Sequence, residues 1–292
     1  MRNRIFNWFM VHLYIFSLAG LVFLLFWGMN YYQLPLLERP HDTLHLLLKP
    51  GGLWGHGYGM IGSAMILLLF LYSLRKRNFI GLRFGKIRNW LNVHIFFGII
   101  GPLIITLHTA GKFHGLVSIS YFSMMSVMIS GFIGRYIYIQ IPRGEEGHRL
   151  AIEEIDQKSH EITNLLVGEY KIPAGVISKI NNLSESKFRQ KRTGLKAILA
   201  IIGDDFARPF RFVKLKRFIL NDDSEIPPKA VRQIIYFSKQ KALLYRRKAY
   251  LGTVSNVLHY WHVIHKPFAW VMILIMLIHV TVVVLMGYKW IF

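Results

Sequence analysis

Five apolar runs, each long enough to cross a bilayer, constrain this 292-residue chain more than any other feature. About twenty apolar residues in helical form cover the roughly 30 Å hydrocarbon layer of a membrane. The runs occupy residues 5–29, 53–74, 90–109, 116–139 and 261–290. With 53% hydrophobic residues gathered in such blocks, the expected fold class is an all-α membrane protein with five transmembrane helices. The first run follows Arg2 and Arg4, as a signal peptide would. It is longer than a signal h-region, contains Trp8, His12 and Trp27, and no small-x-small cleavage site stands out after it. A retained helix is therefore expected.

Basic residues orient the spans. The N-terminus, the 75–88 loop (with Arg83) and the polar stretch 141–257 carry nearly all of the 36 Lys and Arg. The 30–52 loop has only Arg39 and Lys49, the 110–115 loop Lys112, and the C-terminal tail Lys289. The positive-inside rule then puts the N-terminus and the large insertion in the cytoplasm and the C-terminus outside, as in a bacterial inner membrane. The net charge of +21 is thereby read as a topology signal and as a surface for membrane lipids or a protein partner, not for nucleic acid. Three regions result: four spans in 1–140, a basic and mainly helical cytoplasmic insertion in 141–257, and the fifth span in 258–292. Within the insertion, 152–166, 195–220 and 229–250 show helical apolar periodicity. Gly203 and Pro209 are expected to break the second of these. Asn221, Asp222, Asp223 and Ser224 before Pro227 and Pro228 read as a loop and a helix start.

The chain has no cysteine, which excludes disulfides, a thiolate nucleophile, cysteine-ligated iron–sulfur clusters and covalent c-type haem attachment. It has thirteen histidines, and four of them repeat one spacing. His94 and His108 lie fourteen residues apart in the third run, and His265 and His279 fourteen apart in the fifth. Fourteen residues of α-helix rise about 21 Å and make just under four turns, so both imidazoles of a pair lie near one face. The inferred topology makes the third and fifth spans parallel. His94 then faces His265 near the cytoplasmic side, and His108 faces His279 near the outer side. Neutral imidazole suits iron, and two facing helices can hold a cofactor between them. The expectation is two bis-histidine haems b stacked across the bilayer, ligated by His94, His265, His108 and His279.

Two other histidines leave alternatives open. His262, one turn before His265, is an alternative inner ligand, turned roughly 100° off the face shared with His279. His56, in the second span near the outer side, reads as an alternative outer ligand, a ligand of a third haem, a proton acceptor at a quinone site, or an interfacial histidine of the bundle. Arg135, in the interfacial ending GRYIY of the fourth span, is a candidate partner for a haem propionate or for lipid phosphate. Lys112 and His114 are candidates for the same part at the outer haem, and His12 reads as structural.

On His94-x13-His108 and His265-x13-His279, the membrane part of the chain resembles the transmembrane di-haem b-type cytochromes. This broad group includes the ferric-reductase and NADPH-oxidase haem cores and the cytochrome b subunits of membrane oxidoreductases. The resemblance implies an electron-transfer subunit that exchanges electrons with partner redox subunits and with quinone, for which His41, His45 and His56 are outer protonatable candidates. The flavin and nicotinamide module of the reductase members is not expected here: no Walker A pattern occurs, and the single GxGxxG match, Gly57 to Gly62, lies inside the second apolar run rather than between a strand and a helix. The expectation is a chain without its own NAD(P)H or flavin site. Two readings without haem stand beside it: a proton or metal transporter lined by histidines, and a membrane scaffold or assembly subunit whose working part is the basic insertion. His160-Glu161-Ile162-Thr163-Asn164 begins like a zinc-protease helix but has Asn164 where the second histidine belongs, so it makes no metal site.

Overall fold

The computed structural model describes residues 2–78, 81, 85–141, 152–170, 172–185, 194–221 and 228–287. Arg83, Asp222, Asp223, Ser224, Pro227, Lys289 and Trp290 lie outside the described residues. Among the described residues the chain is all-helical: α1 (Arg2–Trp27), α2 (Met29–Gln33), a 3-10 turn at Arg39–His41, α3 (His45–Leu48), α4 (Leu53–Lys76), α5 (Ile87–Thr109), α6 (Leu116–Gln140), α7 (Ile152–Gly168), α8 (Ala174–Glu185), α9 (Gly194–Asn221) and α10 (Pro228–Leu285). Five of the described helices are long and apolar enough to cross a membrane: α1, α4, α5, α6 and α10. The expected all-α membrane architecture is thus found, and the chain is a multi-pass membrane protein. It divides into two compact units, residues 1–132 with 263–292, and residues 133–262. The boundaries fall inside α6 and α10, which supply residues to both units.

In the first unit α4 and α5 pack most extensively. The glycines of α4 explain why. A Cβ on Gly62 would overlap the Ile105 side chain, and one on Gly59 would lie 2.7 Å from Nδ1 of His108. Gly101 of α5 returns the arrangement, its Cβ position lying 3.3 Å from Cβ of Met65. Lipid tails give two apolar helices no hydrophobic reason to associate, so small residues that admit close backbone approach supply the contact instead. Pro102 sits inside α5 without ending it, and the Thr106 hydroxyl donates to the Pro102 carbonyl at 2.9 Å. Around this pair, Met10 of α1 packs on Phe96 and Ile100 of α5. Ile66 of α4 meets Met124 of α6 and Met272, Ile273 and Met276 of α10. Much of α1 shows Phe16, Phe23 and Phe26 outward, an arrangement suited to lipid rather than water.

The segment between α1 and α4 is more ordered than a plain loop. Its keystone is Arg39, buried at 6% exposure. The guanidinium and Nε donate to the carbonyls of Leu34, Tyr32 and Ala110. Ala110 stands in the left-handed conformation that ends α5, φ 47°, so Arg39 places a cation on the carbonyl end of that helix.

The second unit builds α7, α8 and α9 against the first half of α10. One core gathers Val176 and Ile180 of α8, Phe212, Leu215 and Ile219 of α9, and Val231 and Ile234 of α10. A second joins Ile137 of α6, Ile155 of α7, Ala197 and Ile201 of α9, and Tyr250 and Val254 of α10. One sequence expectation is corrected here. Helix α9 runs unbroken through Gly203 and Pro209. Proline removes one backbone hydrogen bond, but buried side chains on both sides of it hold the helix in place. The 229–250 helix and the fifth span are one helix of 58 residues.

An ion network ties the second unit together. Asp204, 4% exposed, pairs with Arg246, 3% exposed, at 3.1 Å and with Arg208 and Arg211. Asp205 accepts from Arg246 at 2.7 Å and from the Tyr136 hydroxyl at 2.7 Å, and Arg246 reaches Gln140 at 2.8 Å. Burial alone would raise the Asp205 pKa, but the Tyr136 bond and the bond and charge of Arg246 outweigh it and hold the carboxylate below its ordinary value of 3.8. Its stabilisation is therefore full above that ordinary value and is lost as pH falls through the lower folded-state pKa. Removing one partner of a buried pair strands the other charge. Asp204→Ala is accordingly expected to cost about 3 kcal/mol or more, read as a lowered unfolding midpoint of the purified protein in detergent. A variant as stable as the parent would refute this role.

Candidate functional site

The four repeated histidines all lie in the first unit, on α5 and α10. Each side chain is half-buried. His108 and His279 come together, with ring centroids 6.5 Å apart and planes tilted by 58°. Nδ1 of His108 donates to the carbonyl of Gly55 at 2.7 Å. A carbonyl only accepts, so that bond places the proton on Nδ1 and the lone pair on Nε2. His56, one residue along α4 from Gly55, lies within electrostatic reach of both rings.

The other pair is held by different neighbours. Nδ1 of His94 donates to the carbonyl of Leu69 at 3.2 Å, and its ring packs on Tyr72 at 5.1 Å. His265 bonds through Nδ1 to the Ser130 hydroxyl at 2.6 Å. That hydroxyl donates onward to the Val127 carbonyl at 2.9 Å, so the ring nitrogen is the donor in the first bond. Three of the four imidazoles therefore share one tautomer, fixed by a partner on a neighbouring helix. Between the two levels, Met272 and Met276 stand on the His265 and His279 face of α10, while Gly101 and Ile105 occupy the matching face of α5. The methionines are buried with Ile66 and Met124.

The remaining candidates are placed as follows. His262 belongs to the second unit, where its Nδ1 donates to Leu258 of its own helix at 2.7 Å and its ring sits 4.6 Å from Trp261. Trp261 in turn lies so close to α6 that a Cβ on Gly134 would overlap its indole. Arg135 is also in the second unit, with its guanidinium 5.8 Å from the centre of the Tyr138 ring. His45 is 3.3 Å from the Tyr31 hydroxyl, His41 is exposed, and His12 donates to Trp8 of its own helix at 2.8 Å. In the His160–Asn164 stretch, Thr163 and Asn181 of α8 each accept from the Lys241 ammonium at 2.7 Å.

Among the described residues no group of three or more His, Asp or Glu could hold a metal ion. What His108 and His279 can offer is two imidazoles and no more, which suits a metal whose other ligands come with it. Reading the sequence alone missed Gly59, Ser130 and the Gly55 and Leu69 carbonyls as the shell around the histidines. Gly55 and Gly59 stand one helical turn apart in the second run, but their alignment with His108 is a tertiary fact. No family model, curated protein or solved structure matches the chain.

Gly59→Ala gives a direct check of the site's packing. In an open helix this change gains up to about 1 kcal/mol. Here the new methyl would crowd a ring fixed to Gly55, so a lower unfolding midpoint is expected. A raised midpoint would show that His108 is not held where described.

Proposed function

We propose that the chain is a membrane-embedded b-type cytochrome subunit that carries electrons across the bilayer through two bis-histidine haems. The observation that carries the reading is the His108–His279 pair. An imidazole nitrogen binds a first-row metal at about 2 Å. Two such bonds in line, with each ring centre about 1 Å behind its nitrogen, put the centres roughly 6 Å apart. The observed 6.5 Å fits this spacing. The tautomers fit as well, because ligating histidines commonly give their other N–H to a carbonyl or hydroxyl that fixes the ring. Gly55 does so for His108, Leu69 for His94 and Ser130 for His265.

In this reading His108 and His279 bracket the outer haem, and His94 and His265 the inner one. A haem supplies one-electron exchange between ferric and ferrous iron, and with both axial positions closed it favours electron transfer over ligand chemistry. The protein's part is to fix the four rings, hold them neutral and keep water from the space between the levels, where Met272, Met276 and Ile105 stand. His265 is preferred to His262 because its ring turns to Ser130 across the bundle, whereas His262 bonds back to its own helix. Partner redox subunits, with quinone at one face, would deliver and remove the electrons. His56, beside the outer pair, is the group placed to exchange a proton with such a quinone. The same reading keeps the N-terminus and the 141–257 insertion on the cytoplasmic side and the C-terminus outside.

The test is haem content by pyridine haemochrome on the purified chain and on single alanine variants. The wild type is expected to carry two haems b per chain. His94→Ala, His108→Ala, His265→Ala and His279→Ala are each expected to lose about half of that content or more, since each removes one of two axial ligands. His262→Ala and His56→Ala are expected to retain it. A wild type without haem, expressed with haem synthesis intact, would overturn the proposal; loss at His262 instead of His265 would move the inner ligand.

A further inference from the structure

Helix α9 turns one face into the second unit and leaves the other without cover. Leu199, Phe206, Val213 and Leu220 follow one another at intervals of seven, with Phe210 beside them, and all five are exposed. Phe206 and Phe210, on adjacent turns, are 75% and 72% exposed. A seven-residue apolar repeat is the pattern by which one helix packs along another. It is also a costly thing to show to water over four repeats, and large exposed apolar patches mark interaction sites.

The charges along the stripe say what kind of surface fits it. The only carboxylates of α9 are Asp204 and Asp205, and both turn inward to Arg246, Arg208 and Arg211. The exposed charged side chains of the helix are Lys196, Lys214, Lys216 and Arg217, all cations. A second copy of α9 would bring these cations against one another, whichever way it ran. A bilayer fits poorly too. Within this unit Asp204 and Asp205 share Arg246 with Gln140 at the end of α6. Phe212, Leu215 and Ile219 then pack on Val231 and Ile234, further back along α10. The stripe therefore starts beside the last turns of α6, where Ala197 and Ile201 pack with Ile137, and runs from there back along α10 instead of keeping to one level.

We infer that the exposed face of α9 is a docking surface for a partner protein that presents an apolar helical face flanked by acidic side chains. The apolar repeat supplies the contact area, and the cations select the partner's charge and steer its approach. The inference is independent of haem, and its test needs none.

The probe is a synthetic amphipathic peptide with leucine at the seam of a heptad repeat and glutamate at the flanking positions, set against the same peptide with lysine flanks. Binding to the full chain in detergent is read by fluorescence anisotropy. The glutamate peptide is expected to bind at least about tenfold more tightly than the lysine peptide, and the double variant Phe206→Ser/Phe210→Ser to lose at least about tenfold of that affinity while keeping every charge. The folded state of the variant is checked by its unfolding midpoint, and Leu199→Ser/Val213→Ser serves as a second pair if it fails to fold. An affinity unchanged by both pairs would mean charge attraction alone and would overturn the inference. So would concentration-dependent self-association abolished by the same substitutions, which would make the occupant a second copy. The chain lacks cysteine, so a fluorophore at Phe210→Cys reports on this face alone. Quenching there by spin-labelled lipid in nanodiscs containing anionic phospholipid would assign the face to the bilayer and overturn the inference as well.

Discussion

Close approach of α4 and α5 is the constraint on which the rest of the first unit depends. It is made possible by glycine. Gly59 and Gly62 leave room that His108 and Ile105 fill, and Gly55 offers its carbonyl to the His108 ring. A bilayer supplies no water to satisfy a buried imidazole, so the ring must find its partner inside the protein. The backbone of a glycine-faced helix is a partner close enough to reach. One local choice of residue thus sets both the packing of two spans and the tautomer of the histidine between them.

The same logic recurs at the other histidine level with different means. Leu69 accepts from His94, and Ser130 links His265 to the backbone of α6. Polar side chains inside a membrane are costly and are kept where they serve a function. Four of them at one spacing on two helices, three with fixed tautomers, form an ordered array. The proposed haem pair accounts for the spacing, the tautomers and the 6.5 Å approach of the His108 and His279 rings together.

The helical class and the number of spans were legible in the sequence, because they follow from run length and apolar content alone. The histidine spacing was legible too, since helix geometry converts residue intervals into depth and face. What the sequence could not reveal were contacts between elements far apart in the chain. Arg39 looked like one of a few cations in a sparse loop, yet it is buried on three carbonyls at the end of α5. Pro209 looked like a helix breaker, yet the flanking apolar residues of α9 outweigh the one hydrogen bond it removes. Asp204 and Asp205 gave no sign of their arginine partners, because Arg246 lies some forty residues away on another helix. In each case burial and partner choice, properties of the tertiary fold, decided the matter against local propensity.

The basic insertion also gains a division of labour. Its inward charges are spent on the network around Arg246, while its outward cations border an apolar stripe. Charge read from composition as a topology signal is thus sorted by the fold into a structural part and a surface part. The central claim rests on the histidines, and electron paramagnetic resonance of the oxidised, haem-loaded chain tests it most directly. The account predicts low-spin ferric signals alone, from iron with imidazole on both sides at two sites per chain. A high-spin ferric signal of comparable weight, or a purified chain that takes up no iron porphyrin, would contradict it.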